Sequence, residues 1–353
     1  MRGAKEGTSL ATLIAEAIPV CQEAERRCPR RGAGRKPVSP DWVVALLIMV
    51  AVLKRKKSKS AQYRFIHHHR AALSKALGGA PLPRRSTYFE RYRRAAGLME
   101  MAIRIQGEWA VRDGLAQPQR VAIDKSVIAA RGRRWHHQYL AERGGYPRGA
   151  DRESTWTRTP HDGWIQGYAF EVVVTAQPNG VVWPLLASAH RACDREARTS
   201  LAKLRALPSA TQHVMADSAY DTNDCTDAVE GSPRRPGRRF VCPIYHRGCR
   251  SKKAVPTPRR GKRLRWVKRR QERDSYVKSL QGKRLLTLRS ISVEPFNARL
   301  KALFELEDTV WHRGLGNNQT QLLAAIANYQ LLLRHNHRCG NNNGQIQWIL
   351  DAL

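Results

Sequence analysis

Two valine-rich runs meet at a turn signal. Gly167–Ala176 (GYAFEVVVTA) and Gly180–Ala187 (GVVWPLLA) flank the pair Asn179-Gly180. That dipeptide tolerates the positive φ angles of a two-residue hairpin, so the runs are predicted to pair antiparallel. A third β-rich run, Arg120–Ala129 (RVAIDKSVIA), comes before them. Two short ones, His213–Ala216 (HVMA) and Arg239–Ile244 (RFVCPI), come after. Each later run is reached through a helix candidate, Asp194–Ala206 and then Asn223–Val229. The order β, β, β, α, β, α, β predicts an α/β fold: a mixed sheet with helices packed against it.

The part before the sheet is helical in pattern. Leu10–Arg27 is a helix candidate in which Pro19 is expected to form a kink or a break. Trp42–Leu53 is an unbroken apolar run of twelve residues. A bilayer span needs about 20, so a buried helix is expected and no membrane. Ser58 to about Leu77 reads as a second helix. Thr87 followed by Glu90 reads as a capping box that starts a third. Later, 291–309 (ISVEPFNARLKALFELEDT) reads as a helix with Pro295 confined to its first turn. Gln319–Leu333 reads as a last apolar helix. The resulting division is a basic N-terminal segment (1–39), a helical domain (40–115), an α/β domain (119–335) and a polar tail (336–353).

Charge narrows the function. Lys and Arg total 63 against 29 Asp and Glu, a net charge of +34. Such an excess favours a polyanionic partner, most simply nucleic acid. Arg64, His67, His68, His69, Arg70, Arg84, Arg85, Arg91, Arg93 and Arg94 suit a helical DNA-binding surface, against the alternative of a merely solvated basic face. Gly34-Arg35-Lys36-Pro37 suits a minor groove, against the alternative of a charged linker. Within 246–285, a stretch without clear periodicity, Arg259, Arg260, Lys262, Arg263, Lys268, Arg269 and Arg270 mark either a nucleic-acid-contacting insertion or a disordered basic linker. The 7 Cys are scattered, which favours reduced thiols and a cytoplasmic setting. Met1–Pro40 is mostly polar, so no secretory leader is expected. Cys242, His246 and Cys249, with Cys225, are a weak zinc candidate, because the spacing is not that of a usual knuckle. Cys242 reads better as a small buried hydrophobe. No phosphate-binding or dinucleotide glycine motif occurs.

In so basic a chain, acidic residues beside strands demand an explanation. Asp124 sits inside the run Val121–Ser126, Asp217 follows His213–Ala216, and Glu294 opens the later helix. An α/β fold can gather such carboxylates. Three of them can hold two divalent ions, which activate water or a 3′-hydroxyl and stabilise the leaving oxygen of a phosphodiester. Singly, each has a structural reading. Asp124 and Asp217 serve as strand-end caps, with Asp221 competing as a ligand. Glu294 serves as a charge favoured by a helix N-terminus.

Four segments carry a resemblance: VAIDKS (121–126), GWIQGYAFEVVV (163–174), VMADSAYD (214–221) and VEPFNARLKALFELE (293–307). With GRKP (34–37) and the helical segment, they resemble DDE-class transposases of bacterial insertion sequences, of the group related to the IS4 and IS5 elements. The likeness covers about 34–335. It implies an RNase H-like catalytic domain, with the first Asp at Asp124, the second at Asp217 and the Glu at Glu294. It implies Mg²⁺ (or Mn²⁺) and cutting of double-stranded DNA at element ends with transfer into target DNA. It also implies a homodimer in the synaptic complex and a place at the bacterial nucleoid. Many relatives carry a Tyr, Arg, Glu and Lys signature. Lys301 matches the Lys, whereas Thr287 and Ser290 stand at the Tyr and Arg positions and Arg289 is one residue off. Lys301 contacts a phosphate or a flipped base in this reading, or pairs with Glu305 in the plain one. Arg299 joins it in orienting DNA. Trp156, Trp164, His161 and Asp162 are further DNA-side candidates, against loop packing for the two Trp residues. The competing functions are a catalytically silent or domesticated DNA-binding relative, a metal-dependent nuclease, and an RNA-binding or structural basic protein.

Overall fold

The valine-rich runs do lie side by side, toward one edge of a six-stranded mixed sheet. The structure is a computed structural model that describes residues 8–28, 37–159, 162–178, 180–231, 237–244 and 262–353, with backbone alone for 262–265. Six helices come first: α1 (Leu10–Arg27), α2 (Asp41–Leu53), α3 (Lys59–His68), α4 (Arg70–Ala76), α5 (Arg85–Tyr92) and α6 (Ala96–Arg112). Then follow β1 (Arg120–Ala129), α7 (His137–Arg143), β2 (Thr155–Thr159), β3 (Gly163–Thr175) and β4 (Pro184–Arg191). The chain continues through α8 (Glu196–Thr199), α9 (Leu201–Arg205), β5 (His213–Met215), α10 (Asn223–Glu230) and β6 (Arg239–Val241). It ends in α11 (Lys262–Lys278), α12 (Leu280–Leu303), α13 (Leu315–Arg338) and α14 (Gln347–Asp351).

Strands run in the order β4-β3-β1-β5-β6, and β2 pairs with the first residues of β3. The pairs β4/β3 and β3/β1 are antiparallel; β1/β5 and β5/β6 are parallel. Antiparallel neighbours need only a turn, whereas parallel ones need a crossover, which α8 with α9 and α10 provide. The turn between β3 and β4 is longer than the predicted two residues. Thr175 still bonds the carbonyl of Trp183 at 2.9 Å, and the register shifts at Val173/Val174 where Pro184 enters the ladder. A proline has no N–H to give the ladder, so an irregularity there is expected.

Side chains alternate across the sheet. The row Lys125, Glu171, Ser188 is set by the β1/β3 and β3/β4 registers, and Lys203 of α9 reaches the last two. The neighbouring row, led by Asp124, faces α12, whose Arg289 and Asn297 reach it.

The helical segment shares one hydrophobic core with the sheet. Every residue of α2 from Val43 to Leu53 is buried. Each full burial of a Val, Leu or Ile contributes roughly 1.5–3 kcal/mol, enough to make this run an anchor of the core. α6 crosses β4 so closely that a Cβ on Gly107 would lie 2.7 Å from the carbonyl oxygen of Leu185. Buried amides bind α13 to both: Gln330 donates to the carbonyls of Ile103 (2.9 Å) and Pro184 (2.7 Å), and Asn328 to that of Met49 (2.8 Å). No described helix is long and apolar enough to cross a membrane.

Several expectations need correction. Pro19 is exposed and α1 runs through it unbroken. The predicted second helix is two, α3 and α4, parted at His69. Thr87 caps nothing, because α5 already begins at Arg85. The basic stretch without periodicity is helical from Lys262. The helix bearing Glu294 starts at Leu280, where Ser279 Oγ accepts the Gly282 N–H at 3.1 Å. Pro295 therefore lies deep inside α12. The carbonyl it deprives belongs to Ile291, which is exposed, so water can serve that group. Glu294 is not a first-turn residue, and the dipole reading of it fails.

Candidate active site

The parallel register of β1 and β5 builds the centre. The ladder that sets Arg120 beside His213 and Ala122 beside Met215 brings Asp124 level with Asp217, just past the end of β5. Neighbouring strands lie about 4.8 Å apart, so two carboxylates at matched positions face each other. Asp217 is extended (φ −82°, ψ 178°), and its Oδ1 accepts the Ala219 N–H at 2.9 Å, capping a 3-10 turn at Ser218–Tyr220. The thiol of Cys242, at the end of β6, donates to the Asp217 carbonyl at 2.9 Å.

From α12, Arg289 Nη2 stands 2.7 Å from Asp124 Oδ1 and 3.9 Å from Asp217 Oδ2. Asn297 Nδ2 donates to the other Asp124 oxygen at 3.1 Å. These two side chains are eight residues apart on one inner helix face. Burial pushes the Asp124 carboxyl up to about 6, with Arg289 opposing and Asp217 adding to the rise. Burial raises Asp217 too, again against Arg289. The Asp124 side chain is 16% exposed and that of Asp217 44%, so the pair opens to solvent on the Asp217 side.

Glu294 lies on the same helix but is exposed. At 100° per residue it is about 60° around from Asn297 and about 20° from Lys301. Among the described residues it has no hydrogen bond or ion pair. No three His, Cys, Asp or Glu side chains among them cluster closely enough to hold a metal ion. The arrangement thus unites Asp124 with Asp217 and leaves Glu294 on the rim. Lys301 Nζ donates to the Val127 carbonyl on β1 at 3.1 Å. Burial lowers its pKa, while Asp162 and Asp124 raise it, which places all three in one neighbourhood. The Lys301–Glu305 pair is not formed. Glu305 instead pairs with Lys57 at 2.6 Å.

The donor set suits a hard divalent cation. Asp124 and Asp217 offer anionic oxygens. Asn297 Oδ1, beside them, is buried with no hydrogen-bond donor. A cation here would share the two carboxylates with the Arg289 guanidinium.

The basic residues divide. Arg64, Arg70, Arg84, Arg85, Arg93 and Arg94 are exposed on α3 to α5 and the turn after them. The predicted contacts of α11 stay exposed but are ion-paired: Arg269 with Asp227 (2.8 Å) and Arg270 with Asp221 (2.9 Å), while the buried Arg273 beside them binds Asp221 and Thr226. Asp221 is thereby engaged and does not join the acidic pair. Lys268 is exposed. Arg299 donates to the Gly344 carbonyl at 3.2 Å, toward the tail rather than toward Asp124. Arg35, Lys36, Arg259 and Arg260 lie outside the described residues, as do the side chains of Lys262 and Arg263. On the β2–β3 hairpin, Trp164 is 64% exposed, whereas Trp156 Nε1 donates to the Trp135 carbonyl. Asp162 closes the hairpin tip through Thr159, and His161 is outside the described residues. Cys242 and Cys225 are buried, in keeping with a packing role; His246 and Cys249 are not described.

Two features escape a reading of the sequence. Asn297 falls on the polar side of a wheel begun at Ile291, and its partner, Asp124, is far away in sequence. Glu171 is a lone charge inside GYAFEVVV, and that interruption was the available signal. It is 0% exposed and ion-paired with Lys203 at 2.6 Å.

No family model matches the chain, and no curated protein matches it. Among solved structures, a piggyBac transposase synaptic complex with hairpin DNA, determined by cryo-EM, is similar at 7% identity and a TM-score of 0.39. The match covers 96% of this chain and 76% of that one. A likeness so faint carries no argument about what this chain does.

Proposed function

We propose that the chain is a DNA transposase of the DDE class, which cuts insertion-sequence ends and joins them to target DNA. One observation carries the reading: two carboxylates from different strands are held face to face, at a cost in burial, beside a guanidinium and an oxygen without a donor. Structural acids of a strand end have no need of such company. The net charge of +34 and the exposed arginines of α3 to α5 supply a surface for the duplex. Three antiparallel strands followed by two parallel ones support an RNase H-like architecture.

In this reading Asp124 and Asp217 hold Mg²⁺ or Mn²⁺, and Glu294 joins them from the rim of α12. The bound ions supply Lewis-acid activation of water or a 3′-hydroxyl and stabilisation of the leaving oxygen. Arg289 and Lys301 place positive charge next to the carboxylates, where the oxygens of a phosphodiester are accommodated. The α3–α5 surface carries the flanking duplex. Joining two ends in one reaction calls for a homodimer or larger assembly, working at the bacterial nucleoid. A second reading, a catalytically silent DNA-binding relative, is favoured by the isolation of Glu294 and the absence of Tyr and Arg at Thr287 and Ser290.

The test uses purified chain and labelled duplex carrying the ends that flank its gene, with Mg²⁺ or Mn²⁺, beside Asp124→Ala and Glu294→Ala. Metal-dependent nicking at the element boundary, lost in both variants, is the expected result. Tight binding to those ends without nicking in either metal would replace this reading with the silent one.

A further inference from the structure

Asp217 stands two residues beyond a ladder whose last pair is Met215 with Ala122. The sheet alone does not hold it, so its place depends on what anchors the turn that follows. One anchor is the Cys242 thiol on the Asp217 carbonyl; the other is Tyr220. Its backbone N–H reaches the Asp217 carbonyl at 3.2 Å, and its fully buried side chain ends 2.9 Å from Glu171 Oε1. Glu171 is itself held by Lys203 at 2.6 Å and by the Thr199 hydroxyl at 3.2 Å. A hydroxyl–carboxylate bond out of water is among the stronger hydrogen bonds a fold can make, and leaving either group without a partner is costly.

Position gives this bond its meaning. Glu171 lies on β3, opposite Lys125 of β1, the residue next to Asp124. β3 therefore fixes the first acid through its ladder with β1. Through Tyr220 it also fixes the turn that carries the second. We propose that Glu171 and Tyr220 are positioning residues that set the spacing of Asp124 and Asp217 from the opposite face of the sheet. This rests on the preceding reading in taking that pair as the cation-binding centre.

The full chain tests it, with Tyr220→Phe as the main variant and the Glu171→Gln, Lys203→Met double variant in reserve should Tyr220→Phe not fold. Three quantities are measured: hydrogen exchange across 216–222, Mn²⁺ binding by calorimetry, and duplex affinity. Loss of the hydroxyl should speed exchange of that turn about tenfold, the scale of one hydrogen bond. It should weaken Mn²⁺ binding about 10- to 100-fold, as loss of a ligand's supporting partner does, with duplex affinity unchanged. Unchanged exchange and unchanged Mn²⁺ affinity would overturn the proposal and leave the transposase reading standing. Faster exchange in a chain whose wild type binds Mn²⁺ no better than Asp124→Asn would do the reverse: the positioning role would stand and the metal-site reading would fall.

Discussion

Arg289 and Asp124 meet at 2.7 Å, although 165 residues separate them in the chain. The same guanidinium lies 3.9 Å from Asp217, so one cation serves two acids. Replacing Arg289 with Met leaves two carboxylates facing each other, that of Asp124 with little solvent. Breaking a fully buried pair from one side costs about 3–5 kcal/mol, and solvent on the Asp217 side reduces this to about 1–3 kcal/mol here. Urea denaturation of Arg289→Met should show a loss of that order. Arg289→Lys should recover part of it, because the charge returns without the planar fork. Equal stability of wild type and Arg289→Met would mean that the guanidinium is not needed there.

The exposed arginines at the start of α5 are expected to act on phosphates rather than bases. The double variant Arg84→Ala, Arg85→Ala should weaken duplex binding alike for every sequence. The slope of log affinity against log salt should fall by about 2, since each phosphate contact contributes about 0.9. Filter binding from roughly 50 to 200 mM salt reads this directly, and an unaltered slope would move the duplex to another face.

Gly107 is where α6 touches β4. A methyl there meets the backbone of Leu185, at 2.7 Å from its oxygen and 2.9 Å from its Cα. Backbone cannot swing aside as a side chain does, so Gly107→Ala should cost about 1–3 kcal/mol. Thermal melting of the purified variant checks it. Full stability would show that α6 can shift along the strand.

His312 gives the fold an acid sensitivity. Burial pushes its imidazole down to about 3 from 6.5, with Lys59 and Arg131 adding to the fall, and Tyr92 Oη lies 3.0 Å from Nε2. A histidine lowered in the fold binds fewer protons than the unfolded chain. Its contribution is therefore complete above pH 6.5 and is lost as pH falls toward 3. Between pH 6.5 and pH 5 the loss comes to about 2 kcal/mol. His312→Gln, which cannot ionise, should lose that much less stability over the same interval. Parallel curves would show that His312 stays protonated or solvated in the fold.

What the sequence makes legible follows from where the determinants lie. α1 and β1 are read to their observed bounds, because their patterns are local: a 3.6-residue stripe in one and a β-branched run in the other. The short polar strand β2 is missed, since TWTRT becomes a strand only by pairing with β3. α11 is missed because its arginines satisfy Asp221 and Asp227, partners far away in sequence, and leave no apolar stripe to read. Pro295 misleads, because proline usually marks a helix start and here stands in the middle of one. Of the candidate centre, the convergence of Asp124 and Asp217 follows from strand order. The roles of Asn297 and Glu171 depend on which face each side chain takes, and only the register decides that.

The register of β5 also determines which changes of chain length the protein can tolerate. The residues between Leu207 and Gln212 connect a helix to a strand, and an extra residue there lengthens a loop. The same insertion between Val214 and Asp217 advances the chain by one position against β1. Because strand side chains alternate, that single step turns Asp217 to the opposite face of the sheet. Descendants of this chain can therefore drift in length on one side of β5, while the three residues from Val214 to Ala216 are held to a fixed count.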